Sequence, residues 1–409
     1  MIKSIKLENF FSFSECEKIE LNSDINIFVG INGSGKSNFL KAIRLLYDGI
    51  AGVGFEKVFL KDWGGFNTVG NFNESQDEII RITYEFDKES INKVIDNKLY
   101  RFPTNPIYEI TIHKSGATSY FLEEYIISTN KRKKHDSPFI FMKMKNGKGQ
   151  ISTRERSKVS IQYYPQEDGE ISFKEQEPVL RQISDPNRFL PLFMLKTAIE
   201  AVSAYDYFDT TLKSMIRQPA SYGTDERLMS SGENLVQILH RIKNHHSLYY
   251  DKIETLLKKI NPNFKDINFD FLGSKFYLVL REKGLAKTVG VEHISDGTLR
   301  FLLLLSILYN PDRGSLVCID EPEIGLHPDM INTVTEAIKY ASKNTQLIVA
   351  THSPLLLNSF ELSDILIFEK DLTNKTIVDR KNEEDFEEWN ETYLAGQLWL
   401  NGKIGGKRW

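Results

Sequence analysis

Cysteine is almost missing from this chain: Cys16 and Cys318 are the two in 409 residues, too few for a disulfide framework or a thiolate zinc site. Long apolar runs are missing too. The longest, 301–309, stops at Asn310-Pro311-Asp312, well short of the roughly 20 residues a membrane span needs. No secretory leader is read at the start, where Lys3, Lys6 and Glu8 break the apolar pattern into a strand-like alternation. Sustained heptads, which a rod-like coiled coil requires, do not occur. Charge of one sign is scarce as well: the net charge of −4 excludes a generally basic nucleic-acid coat and leaves only local patches to consider. These absences predict a cytoplasmic protein with no membrane partner. A hydrophobic content of 41% gives it a substantial core, in one large or two modest domains.

What is present begins with Gly30-Ile31-Asn32-Gly33-Ser34-Gly35-Lys36-Ser37, set between the apolar run 25–29 and a helix-like stretch at 38–47. The spacing G-x-x-x-x-G-K-S lets glycines bend the backbone so that successive N–H groups face phosphate oxygens. Lys36 then supplies charge to the β- and γ-phosphates, and the Ser37 hydroxyl is placed to ligate Mg²⁺. Strand, loop and helix follow in the order that ATP·Mg²⁺ binding demands.

A second cluster adds catalysis. The apolar run Leu316-Val317-Cys318-Ile319 ends in Asp320-Glu321, and consecutive residues of a strand point opposite ways. Asp320 is therefore expected to hold the Mg²⁺ shell while Glu321 faces the water that attacks the γ-phosphate. A further apolar strand, 346–350, delivers Thr351-His352-Ser353-Pro354, where His352 is in a position to hydrogen-bond the γ-phosphate or that water. Ahead of both, Ile294-Ser295-Asp296-Gly297-Thr298 puts a small-residue turn at the start of a strongly apolar helix, 299–309, where anions are favoured.

In this order the set resembles the ABC-class ATPases: phosphate loop, signature turn, acid strand, switch histidine. That resemblance implies a signature turn of Ser295, Asp296 and Gly297 acting in trans on the γ-phosphate held by a second copy, and hence a homodimer or higher even oligomer. Asp296 stands where the class usually has a glycine and Thr298 where it has glutamine, while Ser295 and Gly297 remain. The opening Met1-Ile2-Lys3-Ser4-Ile5-Lys6-Leu7-Glu8-Asn9-Phe10, the Asn32 and Asn38 of the phosphate loop, Ser295-Asp296-Gly297-Thr298-Leu299-Arg300 and Asp320-Glu321-Pro322-Glu323-Ile324-Gly325-Leu326-His327-Pro328 narrow it further. They are similar to RecF- and OLD-type ATPases. In the middle of the chain, Ile216-Arg217-Gln218-Pro219 and Gly232-Glu233-Asn234-Leu235 are pieces similar to single-domain members of that group, among them ATPase subunits of anti-phage systems such as Septu. OLD-type nucleases carry a Toprim domain after the switch histidine; the stretch past Lys370 is too short for one, which implies that any nuclease is a separate polypeptide.

The expected fold is α/β: an ABC-type P-loop head built from residues 1–85 and 285–375, interrupted by an α+β lobe at 86–284, with 376–409 as a tail that docks on a partner through Trp399 and Trp409 or packs on its own core. In the lobe, β-type patterns at 107–113, 118–128, 138–145 and 159–164 precede helical periodicity at 187–203, 232–243 and 248–260. Lys131-Arg132-Lys133-Lys134 and the lysines and arginines to Lys158 form the one marked basic cluster. It reads either as a DNA or RNA backbone contact or as a solvated hairpin face. Arg241 and His246 have an R-x-x-x-x-H spacing like that of metal-free RNA nucleases. Gln182 lies where a glutamine loop would fall, with no motif around it. Three functions are thus carried forward: a defence-system ATPase switch controlling a separate effector, a RecF-like repair ATPase, and an RNA nuclease using Arg241 and His246.

Overall fold

A computed structural model describes residues 1–71, 79–94, 100–116, 119–128, 138–155, 158–166, 171–381 and 394–405. The chain divides into two compact units. The first comprises Met1–Ser23, Gly30–Val202 and Ile367–Asp379, the second Asp24–Val29, Ser203–Leu366 and Arg380–Trp409.

The first unit is organised by a long antiparallel sheet. In spatial order its strands are Lys158–Tyr164, Lys148–Glu155, Phe139–Lys145, Tyr120–Ser128, Pro106–Lys114, Ile79–Phe86, Ile2–Phe10 and Phe13–Glu15. Side-chain alternation is why they form: along Tyr120–Ser128 every second residue is buried, as a sheet with one covered face requires. The covered face holds Ile82, Tyr84, Tyr108, Ile110 and Ile126, each large side chain contributing about 1.5–3 kcal/mol of burial. One polar group sits among them. Glu124 accepts a hydrogen bond from the Tyr108 hydroxyl at 2.8 Å and another from the Val179 amide at 2.7 Å, and its burial pushes the carboxyl pKa up to about 7. The same unit contains helix α1, Lys36–Ile50, whose apolar stripe of Phe39, Leu40, Ile43, Leu46 and Ile50 is buried. Helical periodicity over 187–203 yields a shorter helix, Leu190–Glu200. Pro191 suits its first turn, and the β-branched Val202 opens a strand, Val202–Tyr205.

The second unit is built on parallel strands β1, Ile25–Val29; β2, Leu316–Asp320; and β3, Gln346–Ala350. Strand β3 lies in the middle, pairing with β2 on one side and β1 on the other. Buried on both faces, the three read as near-continuous Ile, Leu, Val and Phe, the composition that a covered parallel sheet selects. Helix α2, Asp296–Leu308, is apolar almost all round and buries nine residues, so it is an interior helix. It begins earlier than periodicity alone suggests, because Ser295 caps it: the Oγ accepts from the Thr298 amide at 3.3 Å. The expected helices at 232–243 and 248–260 are Leu235–His245 and Ser247–Ile260, followed by the antiparallel pair Phe264–Leu272 and Lys275–Glu282. No described helix is long and apolar enough to cross a membrane.

Candidate functional site: a phosphate loop and an acid cluster at the ends of parallel strands

Register fixes the centre of the site. Asp320 of β2 lies opposite Ala350 of β3, and Ala350 lies opposite Phe28 of β1. The ladder runs one step further, with Glu321 N donating to Ala350 O at 2.8 Å and Thr351 N to Phe28 O at 3.0 Å. The carboxyl ends of all three strands are therefore level, the edge at which parallel sheets gather ligands. From that edge depart the acid pair and the segment that carries His352; in sequence, the glycine-rich loop follows Val29 directly.

The loop belongs to the first unit. Gly33 and Gly35 have φ of 79° and 114°, values that side chains oppose. A Cβ on Gly30 would collide with the Phe368 carbonyl, and one on Gly35 with the Thr376 side chain. Thr376 also holds the loop's shape, its hydroxyl lying 2.8 Å from Ser34 O and 2.7 Å from Ser12 Oγ. Asn38 Nδ2 donates to the same Ser12 Oγ at 2.9 Å. Lys36 is buried and turns its ammonium onto the loop itself, donating to Gly30 O at 2.8 Å and Ile31 O at 3.2 Å. No described side chain caps α1, and its first turn has no acid, a helix start whose dipole favours an anion. Ser34 Oγ is buried with no hydrogen-bond partner among the described residues. A glycine cradle, a buried cation and an unanswered hydroxyl fit a polyphosphate.

The acid cluster belongs to the second unit. Glu321 has φ 49°, a left-handed backbone that costs a residue with a Cβ about 1–2 kcal/mol. The turn brings Glu321 Oε1 to 3.3 Å from His352 Nε2. Beside them is a residue that pattern reading did not single out. Glu323 Oε1 accepts from Thr351 Oγ1 and from the His352 amide, both at 2.7 Å, so the segment after β2 grips the segment after β3. Burial raises the Glu323 pKa, and its Oε2 is buried with no partner among the described residues. An open cleft next to the pair is lined by Asp206, Tyr207, Arg300, Asp320, Glu321 and Ile324.

The turn before α2 is in the same unit. Ser295 Oγ also lies 2.8 Å from Thr298 Oγ1, so the threonine at the unusual position completes the cap. A Cβ on Gly297 would come within 3.0 Å of the Gly325 carbonyl, a close approach that favours glycine. Asp296 forms an ion pair with Arg217 at 2.5 Å.

Other sequence candidates fall elsewhere. Lys131, Arg132, Lys133 and Lys134 lie outside the described residues; of the lysines that follow them in the sequence, Lys145 pairs with Glu123 at 3.1 Å. Arg241 is held by Glu226 at 3.0 Å and by Asp312 at 3.4 Å, and His246 Nε2 is 3.4 Å from that same Asp312 carboxylate, an arrangement that ties a helix corner to the loop after α2. Gln182 spends its side chain on local backbone, accepting from Lys174 N at 2.8 Å and donating to Glu177 O at 2.9 Å. Trp399 is buried in helix Ala395–Leu400, which packs on helix Pro354–Leu357 with Gly396 N donating to Asn358 Oδ1 at 3.0 Å. Trp409 lies outside the described residues. Glu323 and Arg217 both occur inside quoted motifs; what a sequence does not display is the cross-strand register and the loop packing that give them partners.

A family model described as "AAA domain, putative AbiEii toxin, Type IV TA system" matches residues 25–142 and 152–358. The DNA replication and repair protein RecF of Cytophaga hutchinsonii is 33% identical over 101 residues, 24% of this chain and 26% of that protein; the chain thus spans about a quarter of that relative's length. The "Retron Vc95 probable ATPase" of Vibrio cholerae is 21% identical over 392 residues, 90% of this chain and 73% of that one. Among solved structures, an Smc head bound to the C-winged helix domain of ScpA superposes with a TM-score of 0.58 at 13% identity, covering 94% of this chain and 99% of that chain. The fold is that of an ABC-type head.

Proposed function

This chain belongs to the AAA-domain family whose model it matches over most of its length, an ATPase related to RecF and to retron ATPases, and on that premise we propose that it is the switch subunit of a prokaryotic anti-phage defence complex. In this reading two copies close head to head around ATP·Mg²⁺ and reopen after hydrolysis, and closure controls a separately encoded nuclease or effector. Lys36 and the amides of Gly30 to Asn38, Asn32, Gly33, Ser34 and Gly35 among them, hold the triphosphate. Ser37 and Asp320 are the residues that would hold Mg²⁺, whose charge would offset that of the phosphates. Glu321 accepts the proton of a water whose oxygen attacks the γ-phosphorus as the bond to ADP breaks, and His352, 3.3 Å from Glu321, orients that water or the γ-phosphate. Ser295, Asp296 and Gly297 complete the pocket of the opposite copy.

The observation that carries this is the common level of three strand ends with the Glu321–His352 pair at their tips. Its test is Glu321→Gln with ATP. Turnover is expected to fall by about a thousandfold or more with nucleotide binding retained and a stable dimer accumulating; unchanged hydrolysis removes Glu321 from its role. Native mass spectrometry of the protein expressed with its neighbouring genes is expected to show a stoichiometric second subunit. A RecF-like repair ATPase is the second reading, favoured by the 33% identity of its 101-residue match. Gapped duplex DNA that stimulates hydrolysis, with no co-purifying effector, would select it.

A further inference from the structure

Behind the signature turn is an arginine to which the nucleotide chemistry above gives no task. Arg217 ends the short helical turn Met215–Arg217, and its side chain is 3% exposed. Its Nε donates to Thr210 O at 2.8 Å, and Nη1 donates to Val291 O and Ile294 O at 2.8 Å each, with Glu292 O at 3.3 Å. Its Nη2 donates to Asp296 Oδ1 at 2.5 Å. One planar fork thus spans the whole backbone turn that leads into α2 and also its first side chain. A lysine, a point charge on a flexible stem, cannot reproduce that span. The neighbouring Arg300 does not substitute for it, being engaged by the Tyr207 hydroxyl at 2.7 Å and Ile324 O at 3.2 Å.

Asp296 is the unusual partner. Its side chain is 66% exposed in the first turn of α2, where the helix end favours a carboxylate. On the reading above, the same helix end must receive a γ-phosphate from the twin, and an uncompensated carboxylate opposes any incoming anion. We infer that Arg217 is the positioning residue of the signature turn: it sets the backbone from Val291 to Ile294 and neutralises Asp296, so that an acid at this position does not repel the phosphate. This rests on the trans-acting signature, and the Arg217–Asp296 pair is what makes the departure from glycine tolerable.

The experiment uses the full chain carrying Glu321→Gln, with ATP-driven dimerisation followed by sedimentation and the melting temperature recorded in parallel. Asp296→Asn removes the charge at an exposed side chain and is the reference against which the double variant is read. Arg217→Lys is expected to weaken dimerisation by about tenfold or more, and the double variant Arg217→Lys/Asp296→Asn to recover most of that loss. A purely structural arginine would not be rescued by removing the acid. A double variant as weak as Arg217→Lys overturns the inference and leaves the twofold reading standing. A parent that stays monomeric in saturating ATP overturns the twofold reading itself, and the inference with it. Should Arg217→Lys not fold, Asp296→Glu carries the comparison, because it keeps the charge and shifts it by a methylene from the guanidinium. It is expected to dimerise more weakly than Asp296→Asn, and equal strength overturns the inference.

Discussion

Glu323 is a single side chain that fixes the backbone of the residue beside it in space, His352. One carboxylate oxygen fixes the His352 amide and the Thr351 hydroxyl at 2.7 Å each, and Thr351 Oγ1 in turn accepts from Ser353 N at 2.9 Å. Glu323→Ala frees the segment that presents His352. The expected result is a fall in kcat of about ten- to a hundredfold with a smaller change in KM, and a stability loss on the order of 1–3 kcal/mol for the donors left unanswered. Steady-state kinetics and denaturant melts check both. A second prediction at this scale concerns Lys36. Its ammonium is buried with two carbonyl partners, so Lys36→Ala is expected to abolish measurable nucleotide affinity while the melting temperature without nucleotide stays within a few degrees, as read by isothermal titration and calorimetry.

Elements carry a different kind of consequence, best seen in the long antiparallel sheet. Burial lifts the Glu124 carboxyl from the ordinary glutamate value of 4.5 to about 7 in the folded state. A raised carboxyl pKa means that the folded state binds the extra proton between those values. Its stabilising contribution is therefore complete below about pH 4.5 and is lost as pH rises through 7, by up to roughly 3 kcal/mol. Glu124→Gln is expected to remove this component, so the difference in unfolding free energy between variant and parent should change across pH 5 to 8 in the variant's favour; a flat difference would refute it. The strands of this sheet were readable because alternation survives in any antiparallel sheet with one covered face. Lys148–Glu155 was not, since Gly149, Gln150, Ser152 and Thr153 display little apolar alternation and it is the turn at Asn146-Gly147, with φ of 53° and 70°, that returns the chain into pairing. The left-handed backbone of Glu321 was hidden for the opposite reason: no residue type announces it, and only the adjoining strand register imposes it.

At the scale of the whole molecule, the order of motifs along the chain was the most legible feature. The glycine-rich loop between strand and helix, the Ser295 turn at a helix start, the strand ending in Asp320 and the strand leading to His352 each lie on the element that the local pattern predicts. Long-range partners were not legible. Arg217 reaches a turn more than seventy positions away, and Thr376 reaches the phosphate loop from far downstream; neither pairing leaves a periodic trace. The basic cluster Lys131 to Lys134 is tested at this scale too. If it tracks a nucleic-acid backbone, replacing all four by serine should weaken binding to single- or double-stranded DNA or RNA and lower the slope of log affinity against log salt by about 3 to 4. An unchanged slope assigns those side chains to solvent.

One detail of the phosphate loop bears on how the protein waits. Lys36 is buried, and its charge is answered by the carbonyls of Gly30 and Ile31 within the loop itself. Entry of a triphosphate then amounts to an exchange of acceptors around a fixed cation, with little chain to reorder. Nucleotide should accordingly leave the hydrogen-exchange protection of α1 nearly unchanged, and the response to ATP must be felt elsewhere in the molecule.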